Sequence, residues 1–255
     1  MGWWAVFKKE MRLYFGSPMA YVVFTFFLVI SGWFFSAIFL NYSDFSMRAF
    51  MQPQFSQNLN VVDNVMRPLF SNMAVVLLFF MPMLTMRLFA EEKRSGTIEL
   101  LLSYPVRDGE VLLGKFLAAE ALFAVLLVLT LVYPALVAFF TPIEWGPILT
   151  GYLGLLLAGG TFLAVGVLIS SLTENQIVAG FGSFGVLLAF WVVGWGAEFA
   201  APPWRGVLQY LSITDHMDGF SRGVVDTKDV VYYVSAIALA LFLTLRSLES
   251  KRWRG

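Results

Sequence analysis

A long apolar run that ends in a dense group of charges constrains this chain more than any other feature. Residues 69–88 contain a single charge, Arg87, and residues 91–94 are four charges in a row. A helix of about 20 residues spans about 30 Å of hydrocarbon, because each residue adds about 1.5 Å. The run therefore predicts a membrane-spanning helix that leaves the bilayer at the charges.

Five further apolar runs have a similar length. The predicted spans are residues 20–40, 69–88, 111–140, 148–172, 177–195 and 230–245. Charged residues make up 13% of the 255, about half their share in soluble domains. We therefore expect an all-α integral membrane protein with six transmembrane helices in one domain, 1–255. Because the first run begins late and is long, we expect it to direct insertion without a cleavable signal peptide.

Charge and cysteine content exclude several classes of function. The 17 basic and 17 acidic residues cancel, so no overall field attracts nucleic acid. The absence of cysteine excludes disulfides and thiolate metal sites. Charge must therefore act through its position along the chain.

The connection 91–110, between the second and third spans, contains a predicted short helix. Ile98, Leu101 and Leu102 share one helical face, and Pro105 ends the piece because proline cannot continue a helix. We expect the coupling segment, 91–110, to form a compact amphipathic element that lies along the membrane surface where the second span ends.

The other connections differ in length and polarity. Residues 41–68 form a polar loop of 28 residues, in which we expect a short helix. Asp108 occupies an N-cap position before the third span, and Thr173 and Gln176 have the spacing of a capping box before the fifth. A second long loop covers residues 198–229.

The first 16 residues predict an amphipathic helix. Its aromatic and apolar side chains fall within about 120° of a helical wheel, whereas its basic side chains fall outside that arc. The arc contains Trp3, Trp4, Phe7, Met11, Tyr14 and Phe15, and the basic residues are Lys8, Lys9 and Arg12. We expect an interfacial helix in the headgroup plane, and a plain basic flank of the first span is the alternative.

Six spans place both termini on one side, and the distribution of Lys and Arg selects that side. The termini and the loop 87–115 hold Lys8, Lys9, Arg12, Arg87, Lys93, Arg94, Arg107, Lys115, Arg246, Lys251, Arg252 and Arg254. The opposite loops hold only Arg48, Arg67, Arg205, Arg222 and Lys228. The positive-inside rule therefore predicts that both termini and residues 91–110 are cytoplasmic.

Two glycine-rich strings resemble nucleotide sites without the required context. Residues 109–116 match G-x4-G-K but end in Phe116, where a P-loop needs Ser or Thr, and no strand precedes them. Residues 180–185 match G-x-G-x-x-G inside a span. Glycines there predict close helix packing instead, in the pairs Gly160/Ala164, Gly166/Ser170, Ala179/Ser183 and Gly185/Ala189. We expect no ATPase within this chain.

A set of residues around the coupling segment carries a family pattern. They are Pro82, Thr85, Met86, Arg87, Ala90, Glu91, Glu92, Lys93, Gly96, Thr97, Glu99, Leu100, Leu101, Pro105, Val106, Gly114 and Lys115. Together with residues 171–179 and 210–233, this set resembles the ABC-2 type transporter permeases. The most similar variant is the permease subunit of gliding-motility ABC systems.

The resemblance implies a permease subunit that forms a translocation pathway and couples to a separate ATPase. The implied coupling residues are Glu91, Glu92, Lys93, Arg94, Gly96, Thr97, Glu99, Leu101, Leu102 and Pro105, with Thr173, Glu174 and Asn175 in a second cytoplasmic loop. The implied partners are two ABC ATPase subunits, which would hold ATP and Mg, and a second permease copy or a homologous permease. A gliding-type system adds an auxiliary membrane protein with a large extracytoplasmic domain. The implied location is the cell inner membrane.

One intramembrane residue and one loop are further candidates. Glu120 is ionisable within the third span, where a charge is costly unless it is paired or faces water. It is either a structural partner of Arg87 or Lys115, or a proton or substrate site. The resemblance implies that the loop 198–229 forms short extracytoplasmic helices at the exit. Its candidate gate residues are Asp215, His216, Arg222 and Asp226.

Two other classes of function are alternatives. An ATP-independent channel, or a membrane scaffold for a cell-envelope complex, would bind no ATPase and would tolerate charge reversal at Glu92 or Glu99. An intramembrane enzyme needs two polar catalytic groups at one depth, and Glu120 is the only clear intramembrane acid in the sequence. A metal site in the loop is weakly supported, because its one histidine has no histidine or cysteine partner.

Overall fold

The computed structural model describes residues 2–51, 60–97 and 107–252. Within these ranges the regular structure is entirely helical. Six helical segments are long and apolar enough to cross a membrane. The predicted all-α fold with six candidate spans is therefore confirmed.

The helices are numbered in chain order. They are α1 (Gly2–Gly16), α2 (Pro18–Met51), α3 (Arg67–Thr85), α4 (Ala90–Arg94), α5 (Asp108–Thr130), α6 (Val132–Phe140), α7 (Trp145–Leu172), α8 (Gln176–Phe199), α9 (Pro202–Leu211), α10 (Ile213–Ser221) and α11 (Thr227–Arg252). A π-helical turn, Val62–Met66, leads directly into α3. The candidate spans are α2, the π turn with α3 and α4, α5 with α6, α7, α8, and α11.

The helix α2 continues beyond its apolar run. Residues 41–51, expected in a polar loop, extend it by about three turns. Asn41 does not end the helix, because its side chain donates a hydrogen bond to the carbonyl of Ala37, one turn earlier, at 2.8 Å. Polar residues that are satisfied in this way remain compatible with a helix. The prediction that residues 41–51 belong to a loop is therefore wrong.

The third span is two helices, α5 and α6, with a break at Leu131. Pro134 explains the break, since proline has no N–H to donate to the carbonyl of Thr130. The hydroxyl of Thr130 lies 2.7 Å from the carbonyl oxygen of Leu127 and 3.1 Å from the hydroxyl of Tyr152 in α7. The side chain of Thr130 thus connects the break to α7.

The helix α7 lies at the centre of the bundle and contacts α3, α5, α8, α10 and α11. Glycines permit this close packing. A Cβ on Gly159 would overlap the ring of Phe123 in α5, and one on Gly166 would overlap Thr85 in α3. The predicted close approach is confirmed at Gly166. It is wrong for the contacts of Gly185 within this chain, because nothing lies within 4 Å of a Cβ there.

The helix α1 packs against the first turns of α5. A Cβ on Gly114 would lie 2.7 Å from the carbonyl oxygen of Trp3, so only glycine fits at this crossing. The predicted aromatic arc is not the face that α1 buries. Trp3 and Trp4 stay exposed, whereas Val6 and Glu10 are buried. Trp3 and Trp4 therefore remain available to face lipid headgroups, as the predicted interfacial helix requires.

The helix α8 begins at Gln176 with Asn175 as its N-cap, not with Thr173. The Asn175 carboxamide oxygen accepts a hydrogen bond from the N–H of the second helical residue at 2.9 Å. The Thr173 hydroxyl accepts only from the N–H of Asn175, at 3.1 Å. The predicted capping box is wrong because both residues are good caps and Asn175 is adjacent to the helix. Asp108 is likewise the first residue of α5, and Arg107 occupies its cap position.

Two ends of the bundle matter for function. The α1 end comprises α1, α4, the first turns of α5 and the connection 173–175. The α10 end comprises α9, α10 and the first turns of α11.

Candidate functional site

Four charged side chains meet at the α1 end. Lys115 Nζ lies 2.8 Å from Oε1 of Glu10 and 2.9 Å from Oε1 of Glu92, and Lys9 Nζ lies 2.9 Å from that same Glu92 oxygen. We call Lys9, Glu10, Glu92 and Lys115 the four-charge cluster. Its formal charges cancel, and the Lys115 side chain is only 1% exposed. A buried ion network of this kind fixes geometry, since removing one member leaves an uncompensated charge.

The cluster joins three elements that are distant in sequence. Lys9 and Glu10 come from α1, Glu92 from α4 and Lys115 from α5. The sequence pattern pointed to Glu92 as a coupling residue but missed the role of Glu10. The available signal was that Glu10 is the only acid in α1.

Two groups on α1 have shifted pKa values. Burial alone would lower the pKa of Lys9, but its hydrogen bond to Glu92 and the nearby negative charges outweigh burial, and the pKa is raised. Burial raises the pKa of Tyr14, and the negative charge of Glu10 adds a smaller increase in the same direction. The Tyr14 hydroxyl donates to the carbonyl of Leu84 in α3 at 3.1 Å. Tyr14 therefore gives α1 a second attachment, to the exit of the second span.

The end of α7 holds the turn between α3 and α4. The Ser170 hydroxyl oxygen accepts hydrogen bonds from the N–H groups of Phe89 and Ala90, each at 3.1 Å, and donates to the carbonyl of Met86 at 3.0 Å. Lys93 of α4 also donates to the carbonyl of Ser171. The exit of the second span is thus fixed to the fourth span.

The two predicted coupling regions line one cleft. An open cleft of about 520 Å³ is bounded by Arg94 at the end of α4 and by residues 174–177 at the start of α8. Arg94, Glu174 and Asn175 are exposed there. The structure therefore brings part of the first predicted coupling region against the connection predicted to be a second cytoplasmic loop.

The remaining coupling residues have separate local roles. Glu91 forms an ion pair with Arg87, one helical turn earlier, at 2.7 Å. Gly96 has a φ of +70°, a conformation that favours glycine, directly after α4. The Thr97 and Ser95 hydroxyls lie 2.8 Å apart. Four further predicted residues lie outside the described residues: Glu99, Leu101, Leu102 and Pro105.

The string 109–116, which matches G-x4-G-K, has structural roles in this fold. It is helical from Gly109 onward. Gly114 provides the crossing with α1, and Lys115 is held in the four-charge cluster. Neither residue is free to cradle a phosphate. The second glycine-rich string, 180–185, is a continuous part of α8.

A histidine–carboxylate pair organises the α10 end. His216 Nδ1 lies 2.7 Å from Oδ1 of Asp229, and its Nε2 lies 3.0 Å from the carbonyl oxygen of Tyr210. The imidazole stacks on the ring of Tyr232 at 3.9 Å between centroids. His216 and Asp229 are both buried. His216 is therefore a structural link between α9, α10 and α11, and Asp229 is a partner that the site prediction omitted.

The other gate candidates lie nearer the surface. Arg222 pairs with Asp218 at 2.7 Å, and Asp218 also contacts Arg67 at the start of α3. Asp226 accepts a hydrogen bond from the backbone N–H of Lys228, and this bond lowers the pKa of Asp226. Asp215 is exposed. The predicted gate residues thus belong to two groups, and Asp218 is the one that ties α10 to α3.

Glu120 is separate from both ends. It lies in α5, five residues beyond Lys115. Neither expected cation pairs with it, because Arg87 binds Glu91 and Lys115 binds the cluster carboxylates. Its Oε2 atom is enclosed and has no hydrogen-bond partner in the part of the chain that the structure describes.

A comparison with protein families gives one match that extends over nearly the whole chain. The model of the ABC-2 family transporter proteins matches residues 4–249. None of the curated proteins matches the chain. The match includes all six candidate spans, the four-charge cluster and the helices of the α10 end. The chain therefore belongs to the ABC-2 family of transporter proteins, whose members are membrane components of ABC transporters.

Proposed function

We propose that this chain is the membrane-spanning permease subunit of an ATP-driven exporter, and that it couples at its α1 end to a separate ATPase. The observation that carries the proposal is the attachment of α4, at the end of the second span, to two further spans. The cluster joins α4 to α5, and Ser170 joins the turn before α4 to α7. A partner that moves α4 would therefore move the centre of the bundle.

The α1 end offers a docking surface for such a partner. The cleft between Arg94 and residues 174–177 is open and carries charged and polar side chains, and residues from two different connections line it. ATP binding in the partner can shift the permease only if the ATPase binds its two conformations with different affinity. We propose that closure of two ATPase subunits, which hold ATP and Mg, pulls α4 and tilts the spans.

The proposal includes an assembly and an orientation. A second copy of this chain, or a homologous permease, would complete the pathway. Both termini and the coupling segment would lie on the cytoplasmic side of the inner membrane, because these parts of the chain hold the larger share of Lys and Arg. The helices α9 and α10 would lie at the outer exit. The gliding-motility subtype, with its auxiliary extracytoplasmic partner, stays a prediction.

Reconstitution tests the coupling. The chain is purified from its native membranes together with any ABC ATPase that binds it and is reconstituted in lipid, and ATP hydrolysis is compared for the wild type, Arg94→Glu and Glu174→Lys. Both variants change exposed cleft residues and leave the four-charge cluster intact, so the permease should fold while binding and stimulated hydrolysis fall. Glu144→Lys, in the exposed connection between α6 and α7, is the matched control. An ATP-independent channel or scaffold predicts no recruited ATPase and no effect of either cleft variant.

A further inference from the structure

Glu120 is a carboxyl group deep in the bundle that the coupling mechanism does not use. It lies about 7.5 Å farther along α5 than Lys115, at a rise of about 1.5 Å per residue. Part of the residue reaches the bundle surface, but Oε2 is fully enclosed. Among the described residues, no cation forms an ion pair with Glu120, and Oε2 has no hydrogen-bond partner.

The Glu120 carboxyl group lies in a notch on α7, where Gly160 has no side chain. A Cβ on Gly160 would lie 3.1 Å from Oε2 and 3.3 Å from Oε1 of Glu120. The same Cβ would lie 3.2 Å from Cδ1 of Ile237 on α11. Gly160 of α7 and Ile237 of α11 are thus apolar neighbours that pack closely around the carboxyl group.

No charged group faces this notch from the three helices that form it. Within two turns of Gly160, α7 has no ionisable residue. On α11 the ionisable residues within two turns of Ile237 are Tyr232 and Tyr233, whose hydroxyls donate to the carbonyls of Leu211 and Ile213. On α5 the corresponding residue is Lys115, which is held in the four-charge cluster.

An ionised carboxylate in these surroundings is strongly disfavoured. Transfer of an isolated charge into an apolar medium costs far more than transfer of the neutral acid, so such a group takes up a proton instead. We propose that Glu120 is an intramembrane proton-binding site, whose carboxyl is protonated in the arrangement described and ionises when water or a cation enters the Gly160 notch.

The position of the site links its proton to movement of the spans. The notch exists only while α5, α7 and α11 stay packed together at this level. Separation of α5 from the other two helices would admit water and allow the proton to leave. The inference does not depend on an ATPase, because the packing of this chain alone creates the site.

Infrared spectroscopy tests the proposal directly. The full-length chain is reconstituted in lipid at neutral pH, and its spectrum is compared with that of Glu120→Gln. The wild type should show a carbonyl absorption from a protonated carboxylic acid, and Glu120→Gln should lose it. Glu144→Gln is the matched control, since Glu144 is exposed between α6 and α7 and its replacement should leave the band unchanged. A wild-type spectrum without this band overturns the proposal.

A second measurement needs no variant. Dicyclohexylcarbodiimide is apolar and reacts with protonated carboxyl groups that are accessible from the bilayer. After treatment of wild-type protein in lipid, peptide mass spectrometry should find the adduct on Glu120. Adducts confined to other carboxyl groups, or none at all, would contradict a protonated Glu120. This readout remains decisive even if Glu120→Gln does not fold.

Discussion

The Nζ atom of Lys115 lies 2.8 Å from Oε1 of Glu10, although 105 positions separate the two residues in the chain. The same ammonium lies 2.9 Å from Glu92. One side chain of α5 therefore holds both the N-terminal helix and the short helix at the exit of the second span. The consequence is that α1, α4 and α5 can move only together, unless a buried charge is exposed.

Replacement of Lys115 should reveal this dependence. Lys115→Met leaves Glu10 and Glu92 without their buried counter-ion, and we expect a loss of about 3–5 kcal/mol in the free energy of unfolding. Thermal unfolding in detergent measures it. Lys228→Met is the control, because its pair with Asp226 is exposed and should contribute little. A Lys115→Met protein as stable as the control would refute the structural role of the cluster.

Alkaline pH should weaken the attachment of α1. The pKa of Lys9 is raised above its ordinary value of 10.5, so its contribution to stability is complete below that pH and disappears as pH rises through the higher value. The melting temperature of the wild type should therefore fall in the alkaline range more than that of Lys9→Met. Lys8→Met, at the neighbouring exposed position, should follow the wild type. Parallel curves for wild type and Lys9→Met would contradict this assignment.

Two glycines of the bundle should respond in opposite directions to the same change. Gly159→Ala places a methyl group into the ring of Phe123, and we expect it to destabilise the protein by about 1–3 kcal/mol. Gly185→Ala meets nothing within 4 Å and should stabilise α8 by up to about 1 kcal/mol. Unfolding of the two variants gives the comparison. Equal effects at both positions would mean that α5 and α7 do not cross at Gly159.

Loss of His216 should loosen the α10 end. His216→Leu leaves the buried carboxylate of Asp229 unpaired, and we expect a loss of about 3–5 kcal/mol. Limited proteolysis should then cut first between α9 and α11. Asp229→Asn is the milder control, because an amide oxygen can still accept the hydrogen bond from His216 Nδ1. A larger effect of Asp229→Asn than of His216→Leu would contradict the paired arrangement.

The spans were predictable because apolar length is a local property that a membrane constrains strongly. The helix ends were less predictable. At 173–176, two good caps stand two residues apart, and only the structure selects Asn175. At residues 41–51, polar side chains resembled a loop, yet they extend α2 beyond the apolar run.

The candidate site was predictable only in part, because its contacts are distant in sequence. Glu92 and Lys115 were both found through the family pattern, but nothing in that pattern joined them to Glu10. The aromatic arc of α1 predicted the helix, but it did not reveal that Glu10 is buried beside the arc, since a polar residue buried by an ion pair leaves no hydrophobic signal. Asp229 was missed for the same reason.

Labelling of one introduced cysteine tests whether an ATPase binds the α1 end from the cytoplasm. The natural chain has no cysteine, so Glu174→Cys provides a unique thiol beside the cleft. A membrane-impermeant maleimide should leave this thiol unmodified in intact cells and modify it in inside-out vesicles. Addition of the ATPase should then protect it. Labelling in intact cells would place Glu174 outside the cytoplasm, and undiminished labelling with the ATPase bound would exclude this cleft as its binding site.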